Sequence, residues 1–206
     1  MNNRVAIIDY GVGNLRSVLQ AIHFLNVEAE VVSDPQLLFG FTHLILPGVG
    51  SFDATMRLLH DTGMFDVLNE QVIEKKKNIL GICVGMQIMA EKSDEGQLEG
   101  FGWIPGIVKK IPINNDSKPS LPHMGWNSIT HDNDAIFKKI DSSLGFYFLH
   151  SYYFDVKDKS HAIASTNYYK DLTCTVKNKN IIGTQFHPEK SHSNGAQIFK
   201  NFVCLT

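Results

Sequence analysis

Cysteine is scarce in this chain. Its three, Cys83, Cys174 and Cys204, lie far apart and form no CxxC pair. That excludes a disulfide framework or a zinc ribbon and fits a reducing compartment. Excess charge of either sign is also missing. The 19 Lys and Arg against 21 Asp and Glu leave a net charge of -2, no electrostatic basis for holding nucleic acid or an anionic membrane. No run of about 18 apolar residues occurs, so no membrane-spanning helix is expected. The opening "MNNRVAIIDYGVGN" turns polar too soon for a signal peptide. Internal repeats, low-complexity tracts and long linkers are absent from the sequence as well. The expectation is a cytoplasmic protein with one domain over residues 1–206, a length that suits a single sizeable core.

What is present has a clear alternation up to about residue 100. "RVAIIDYGVGN" predicts a buried strand running into a glycine turn, and "LRSVLQAIHFLNV" carries Leu15, Val18, Leu19, Ile22 and Leu25 at helical spacing. "EAEVVS" predicts a second strand. "THLILPGVGSFDATMRLLHDTGMF" predicts a third, then a Pro-Gly turn and a helix starting near Ser51 or Phe52. "DVLNEQVIEKKK" predicts a further amphipathic helix, "NILGIC" a buried strand and "MQIMAEK" a helix. This is an α/β fold with a mainly parallel sheet flanked by helices. Later stretches, "GIVKKIPI", "HMGWNSIT", "GFYFLHSYYFDV", "HAIASTNY", "LTCTVKN" and "NIIGTQF", are short and β-branched or aromatic. They predict mixed or antiparallel strands added to the parallel half, closed by a helix in "NGAQIFKNFVC". The polar stretch from Asn114 to Leu121 predicts a variable loop.

In open α/β sheets ligands bind at the carboxyl ends of the parallel strands. Cys83 in G-x-C-x-G and the PGVG turn both fall at such ends. Glycines on both sides of Cys83 suggest a bend too tight for a Cβ. The layout is that of a nucleophile elbow, with a following helix N-terminus that favours the thiolate. Taken alone, Cys83 is equally a buried packing cysteine. "GTQFHPEKS" supplies His187 at the end of an apolar strand and Glu189 two residues on, placed to orient the imidazole. In isolation such a pair is more often a loop histidine beside a solvated carboxylate. His192 lacks further ligands at telling spacing, so no metal is expected. "YGVGNLR" fails as a dinucleotide fingerprint because the third glycine position holds Arg16. Asn14 fits a helix N-cap there. Cys174 and Cys204 are expected to pack in the interior, and His23, His43, His60, His131 and His161 have no partner pattern.

"GICVGMQ", "PGVGSF" and "QFHPEKS" together resemble the class I (triad) glutamine amidotransferases. "DYGVGNLRSV", "LPHMGWN" and "FYFLHSYYF" narrow the resemblance to the glutaminase subunits of imidazole glycerol phosphate synthase. The similarity runs from residue 4 to about residue 203. It implies a flavodoxin-like fold and no cofactor, with Cys83 as nucleophile, His187 as acid and base and Glu189 as its orienter. Oxyanion donors are implied at Val84 and around Val49 and Gly50. Binding of L-glutamine is implied at Gln87 and Glu95 and along the backbone of His150, Ser151 and Tyr152.

The resemblance also implies a partner, a (β/α)8-barrel cyclase forming a heterodimer with this chain. Ammonia would pass through the barrel core to a phosphoribulosyl-formimino ribotide. Imidazole glycerol phosphate and an aminoimidazole carboxamide ribotide would result, a step of histidine biosynthesis. Asn14, Met124, Trp126, Tyr147 and Lys190 match stretches that face the cyclase. Glutaminase activity is implied to stay low until docking, with a peptide flip in the PGVG turn as the suggested device. The alternatives are a related glutaminase feeding another barrel, for instance in surface-sugar synthesis, a free-standing Cys-dependent γ-glutamyl hydrolase, and a non-catalytic binding subunit.

Overall fold

The computed structural model describes residues 3–112 and 120–205. The stretch expected to form a variable loop falls, over residues 114–119, outside the described residues. In chain order the parallel half comprises β1 (Arg4–Ile8), α1 (Leu15–His23), β2 (Glu28–Val32), β3 (His43–Gly48), α2 (Phe52–Asp61), α3 (Met64–Asn69), β4 (Asn78–Cys83) and α4 (Val84–Gln87). There follow β5 (Lys92–Ser93), β6 (Gly106–Lys110), β7 (His123–Asn127), β8 (Thr130–His131), β9 (Phe146–His150) and β10 (Tyr152–Val156). The chain ends with β11 (Ala162–Tyr168), β12 (Lys170–Asn178), β13 (Ile181–Thr184) and α5 (His192–Val203).

Eight of these strands make the main sheet, ordered β2-β1-β3-β4-β13-β12-β11-β8. The first five are mutually parallel, and β12, β11 and β8 continue antiparallel. The parallel order is that of a flavodoxin-like sheet, so the expected mixed α/β architecture is present. Strands β3 and β4 are apolar almost throughout because helices cover both faces of a parallel sheet. Two satellite sheets stand beside it, β10-β6-β5 and the ribbon β7-β9.

Two expected elements come out differently. "MQIMAEK" does not continue the helix after the cysteine, and α4 stops at Gln87. The carbonyls of Ile88, Met89, Ala90 and Glu91 instead accept from Phe101, Ile104, Gly102 and Gly100. A helix would need those acceptors for its own later amides. "GFYFLHSYYFDV" is two strands, β9 pairing with β7 and β10 with β6, broken at Ser151. That break places residues 150–152 at the junction of both satellite sheets, beside the carboxyl edge of the main sheet.

Candidate active site

The site begins with two neighbouring strand ends. Strands β4 and β13 pair in parallel with Ile82 opposite Thr184, and β3 flanks β4 with Gly48 opposite Cys83. The chain leaving β4 reaches Cys83 at once. Leaving β13 it reaches Gln185, Phe186 and then His187, so the sulfur and the imidazole share one rim despite their distance in sequence.

Cys83 itself carries the strain of the elbow, at φ 56 and ψ -111. A non-glycine residue there costs about 1–3 kcal/mol and persists only where its surroundings hold it. The flanking glycines leave no room for a Cβ, as expected: the elbow closes on itself at Gly81, and β3 presses on it at Gly85. Neither has positive φ. They are bare because backbone passes against backbone: a Cβ at Gly85 would strike the Leu46 carbonyl, and one at Gly81 the Gly85 carbonyl. Val84 follows as the first residue of α4, so its N–H has no intrahelical acceptor.

His187 Nδ1 lies 2.9 Å from Glu189 Oε1, and the two side chains are 5% and 2% exposed. Backbone bonds brace the imidazole. The His187 amide donates to the Tyr147 carbonyl at 2.9 Å, and the Ser191 hydroxyl donates to the His187 carbonyl at 2.7 Å. Burial by itself lowers the His187 pKa, but the interactions with Cys83 and with Glu189 outweigh it and raise the value from 6.5 to about 9. His187 Nε2 makes no hydrogen bond of good geometry. Cys83 is nonetheless near enough to raise the His187 pKa, and the N–H at Nε2 is left for a reacting atom.

A cleft of about 350 Å³ opens over the sulfur. Its walls include Cys83 and His187, the turn and helix-start residues Val49, Gly50 and Val84, and all five candidate glutamine contacts, Gln87, Glu95, His150, Ser151 and Tyr152, while Glu189 is buried behind His187. Gln87 spends both amide protons, on the Tyr152 carbonyl at 3.2 Å and on Gln185 Oε1 at 3.0 Å. Its own Oε1 is what remains for a ligand. Glu95 Oε2 accepts from the Phe52 amide at 2.8 Å, which ties it to the start of α2. A larger groove of about 730 Å³ runs past Lys92, Lys109 and Asp155, but it holds neither a cysteine nor a histidine and is not the reactive site.

The family model for class-I glutamine amidotransferases matches residues 6–205. The chain belongs to this family. The amidotransferase is 46% identical to the imidazole glycerol phosphate synthase subunit HisH of Leptospira borgpetersenii over 203 residues, 98% of this chain and 100% of that one. It is 42% identical to the subunit of the same name from Bdellovibrio bacteriovorus, over 96% of this chain and 98% of that one. Among solved structures, a glutamine amidotransferase superposes with TM-score 0.73 at 19% identity, covering 97% and 96% of the two chains. PurLQS from Thermotoga maritima superposes with 0.72 at 20%, covering 98% of each. At that identity these two speak for the fold alone.

Three of the five expected docking residues of the amidotransferase, Met124, Trp126 and Tyr147, lie on the ribbon. In β7 and β9, Met124 pairs with Leu149 and Trp126 with Tyr147. These four form the outer face, while His123, Phe146, Phe148 and His150 point inward and are buried. Met124 and Trp126 are 65% and 49% exposed, so Trp126 is no core tryptophan. Lys190 Nζ lies 5.4 Å from the Tyr147 ring centroid, and Trp126 stacks on His192 at 5.0 Å. Asn14 occupies the N-cap position of α1 without a side-chain capping bond, contrary to the capping role its place suggested. Helix α1 packs beside the 188–190 turn.

Other expectations need adjusting. Cys174 is fully buried, but Cys204 is exposed at the C-cap of α5. Gln185, Leu149, Pro122, His123 and His192 were missed at the site or the docking face. For Gln185 a signal existed: it lies two residues before His187 in an extended segment, hence on the same side of the chain.

Proposed function

We infer that this chain is the glutaminase subunit of imidazole glycerol phosphate synthase. It hydrolyses L-glutamine to glutamate and ammonia and passes the ammonia to a cyclase subunit in histidine biosynthesis. The observation that carries the chemistry is a buried Glu189–His187 pair set against a strained, cleft-facing Cys83.

Cys83 attacks the side-chain carboxamide carbon as the thiolate, its proton already held by His187. His187, raised to about 9 and so protonated at neutral pH, gives its Nε2 proton to the departing nitrogen as the C–N bond breaks. A γ-glutamyl thioester remains. The now neutral His187 takes a proton from water, the hydroxide adds to the thioester, and glutamate leaves as the Cys83 thiolate re-forms beside protonated His187. The oxyanion at each addition is held by the Val84 N–H together with the turn at Val49 and Gly50. Gln87 and Glu95, with the strip at His150, Ser151 and Tyr152, hold the amino-acid end of the substrate.

Free ammonia is mostly protonated in neutral water, so a biosynthetic glutaminase needs a covered exit. The apolar outer face of the ribbon, with Trp126 central, supports docking of a (β/α)8-barrel cyclase as a heterodimer, and the same face disfavours a free-standing hydrolase. Asn14, Met124, Tyr147 and Lys190 belong to that surface. No helix among the described residues is long and apolar enough to cross a membrane, and the proposed site of action is the cytoplasm.

The test is glutamate release from glutamine by this chain alone, then with a histidine-pathway cyclase and its ribotide, with Cys83→Ala as control. Strong stimulation that vanishes in the mutant supports the reading, and Trp126→Ala should weaken it. Full activity without a partner points to a hydrolase. The turn device is best probed at Gly50, where φ is +96 and nothing crowds a Cβ. At Gly48 a Cβ would collide with the Gly85 amide.

A further inference from the structure

A file of buried polar groups connects the inner face of the docking ribbon to the sulfur, and its polarity can be worked out from one atom. The Tyr152 carbonyl can only accept. Gln87 approaches it at 3.2 Å, so the Gln87 atom there is the amide nitrogen. The same nitrogen lies 3.0 Å from Gln185, whose facing atom must then be the oxygen. It follows that the Gln185 amide nitrogen is the end turned to Cys83 Sγ, at 3.7 Å. The other side of the carbonyl obeys the same logic. His150 Nδ1 lies 2.7 Å from it and must carry a proton. Burial keeps His150 neutral, so its Nε2 accepts from His123 Nδ1 at 2.9 Å. His123 Nε2 in turn accepts from Asn127 at 3.2 Å.

We propose that Gln185 is a positioning residue for Cys83. The Tyr152 carbonyl, clamped from its far side by the His123–His150 pair, dictates that an N–H and not an oxygen faces the sulfur. This rests on reading Cys83 as the nucleophile. The contact gives Sγ a donor, and in the thiol form Sγ can itself donate a hydrogen bond to the Leu149 carbonyl at 3.8 Å. The sulfur is thereby held toward the cleft as an acceptor. The other titratable groups around it are His187 with Glu189, His150, and the Tyr10 hydroxyl, which donates to the Pro47 carbonyl at 2.6 Å.

The experiment is the pH dependence of iodoacetamide alkylation at the Cys83 peptide. It is read by mass spectrometry because Cys204 is also exposed. Gln185→Glu still accepts from Gln87 but presents a carboxylate oxygen to the sulfur. Its midpoint should move up by about one pH unit, a roughly ten-fold slower reaction on the acid limb. Gln185→Met, with neither donor nor charge, should move it less and in the same direction. Midpoints equal to the parent's in both variants overturn the proposal. The parent protein offers a test free of folding risk. Ring-15N histidine spectra at neutral pH should show His123 and His150 neutral and protonated at Nδ1, and a charged or Nε2-protonated ring in either overturns the assigned polarity. Alkylation needs neither glutamine nor a partner. A shifted midpoint with no glutamine hydrolysis, even with the cyclase and its ribotide present, supports the role of Gln185 and removes the glutaminase reading. An unshifted midpoint in an active glutaminase removes only the role of Gln185.

Discussion

His187 and the His123–His150 pair are buried in the same corner of the molecule and are driven in opposite directions. His187 is raised to about 9, whereas burial takes His123 down to about 4 and His150 to about 3. Depth does not explain the difference, because all three residues are at most 6% exposed. What differs is the company. His187 has a carboxylate 2.9 Å from Nδ1 and a thiol before Nε2. His123 and His150 have each other, an amide and a carbonyl, all neutral. Desolvation always disfavours the charged ring, and only an anionic partner reverses it. One imidazole is thus prepared to move protons and the other two to hold backbone still.

The comparison breaks most completely if the sulfur is removed. Cys83→Ala should reduce glutamate release by at least about 10³-fold, and NMR titration should find His187 below about 9. Glu189→Gln should make His187 resemble His150. Its pKa should fall, and kcat should drop by roughly 10²–10⁴ through loss of the oriented, protonated ring. His123→Phe sharpens the contrast from the other side. It keeps the stack on Phe148 and Tyr168 but leaves His150 Nε2 without a donor. The expected loss is about 1–3 kcal/mol, a fall of roughly 2–12 °C in Tm.

The smallest effect is on stability against pH, with opposite signs for the two sites. The His123 and His150 values are depressed below 6.5, so the unfolded chain binds more protons. Their contribution is complete above about 6.5 and is lost as pH falls toward 4 and 3. The His187 value is raised, so its contribution is complete below about 6.5 and is lost as pH rises through about 9. Urea midpoints across this range should fall at both ends. His123→Phe should flatten the acid limb and Glu189→Gln the alkaline one.

Much of the site was legible because its motifs are local. A cysteine between two glycines after a buried strand, and a histidine two residues from a glutamate, each mark their chemistry within a few residues. The ribbon was legible in part: alternation in "HMGWN" and "FYFLH" separates outer from inner side chains, but only pairing shows that both outer rows share one face. The helix after Cys83 was overread, because its apolar spacing suits a helix while its carbonyls are claimed by residues 100–104. The glycines were legible in part: the tight bend at Gly81 is local, whereas the approach of the Leu46 carbonyl to Gly85 comes from distant backbone and leaves no trace in local spacing.

The sequence by itself determined the candidate reactive residues, the buried parallel strands and the points where chain turns must lie, since these follow from residue type and short-range period. Only the tertiary structure decided that β13 lies beside β4, that His187 is charged while His150 is neutral, and that Gln185 turns its nitrogen to a sulfur 102 positions away. Charge state and hydrogen-bond polarity depend on neighbours brought in from remote parts of the chain, and no local pattern carries that information.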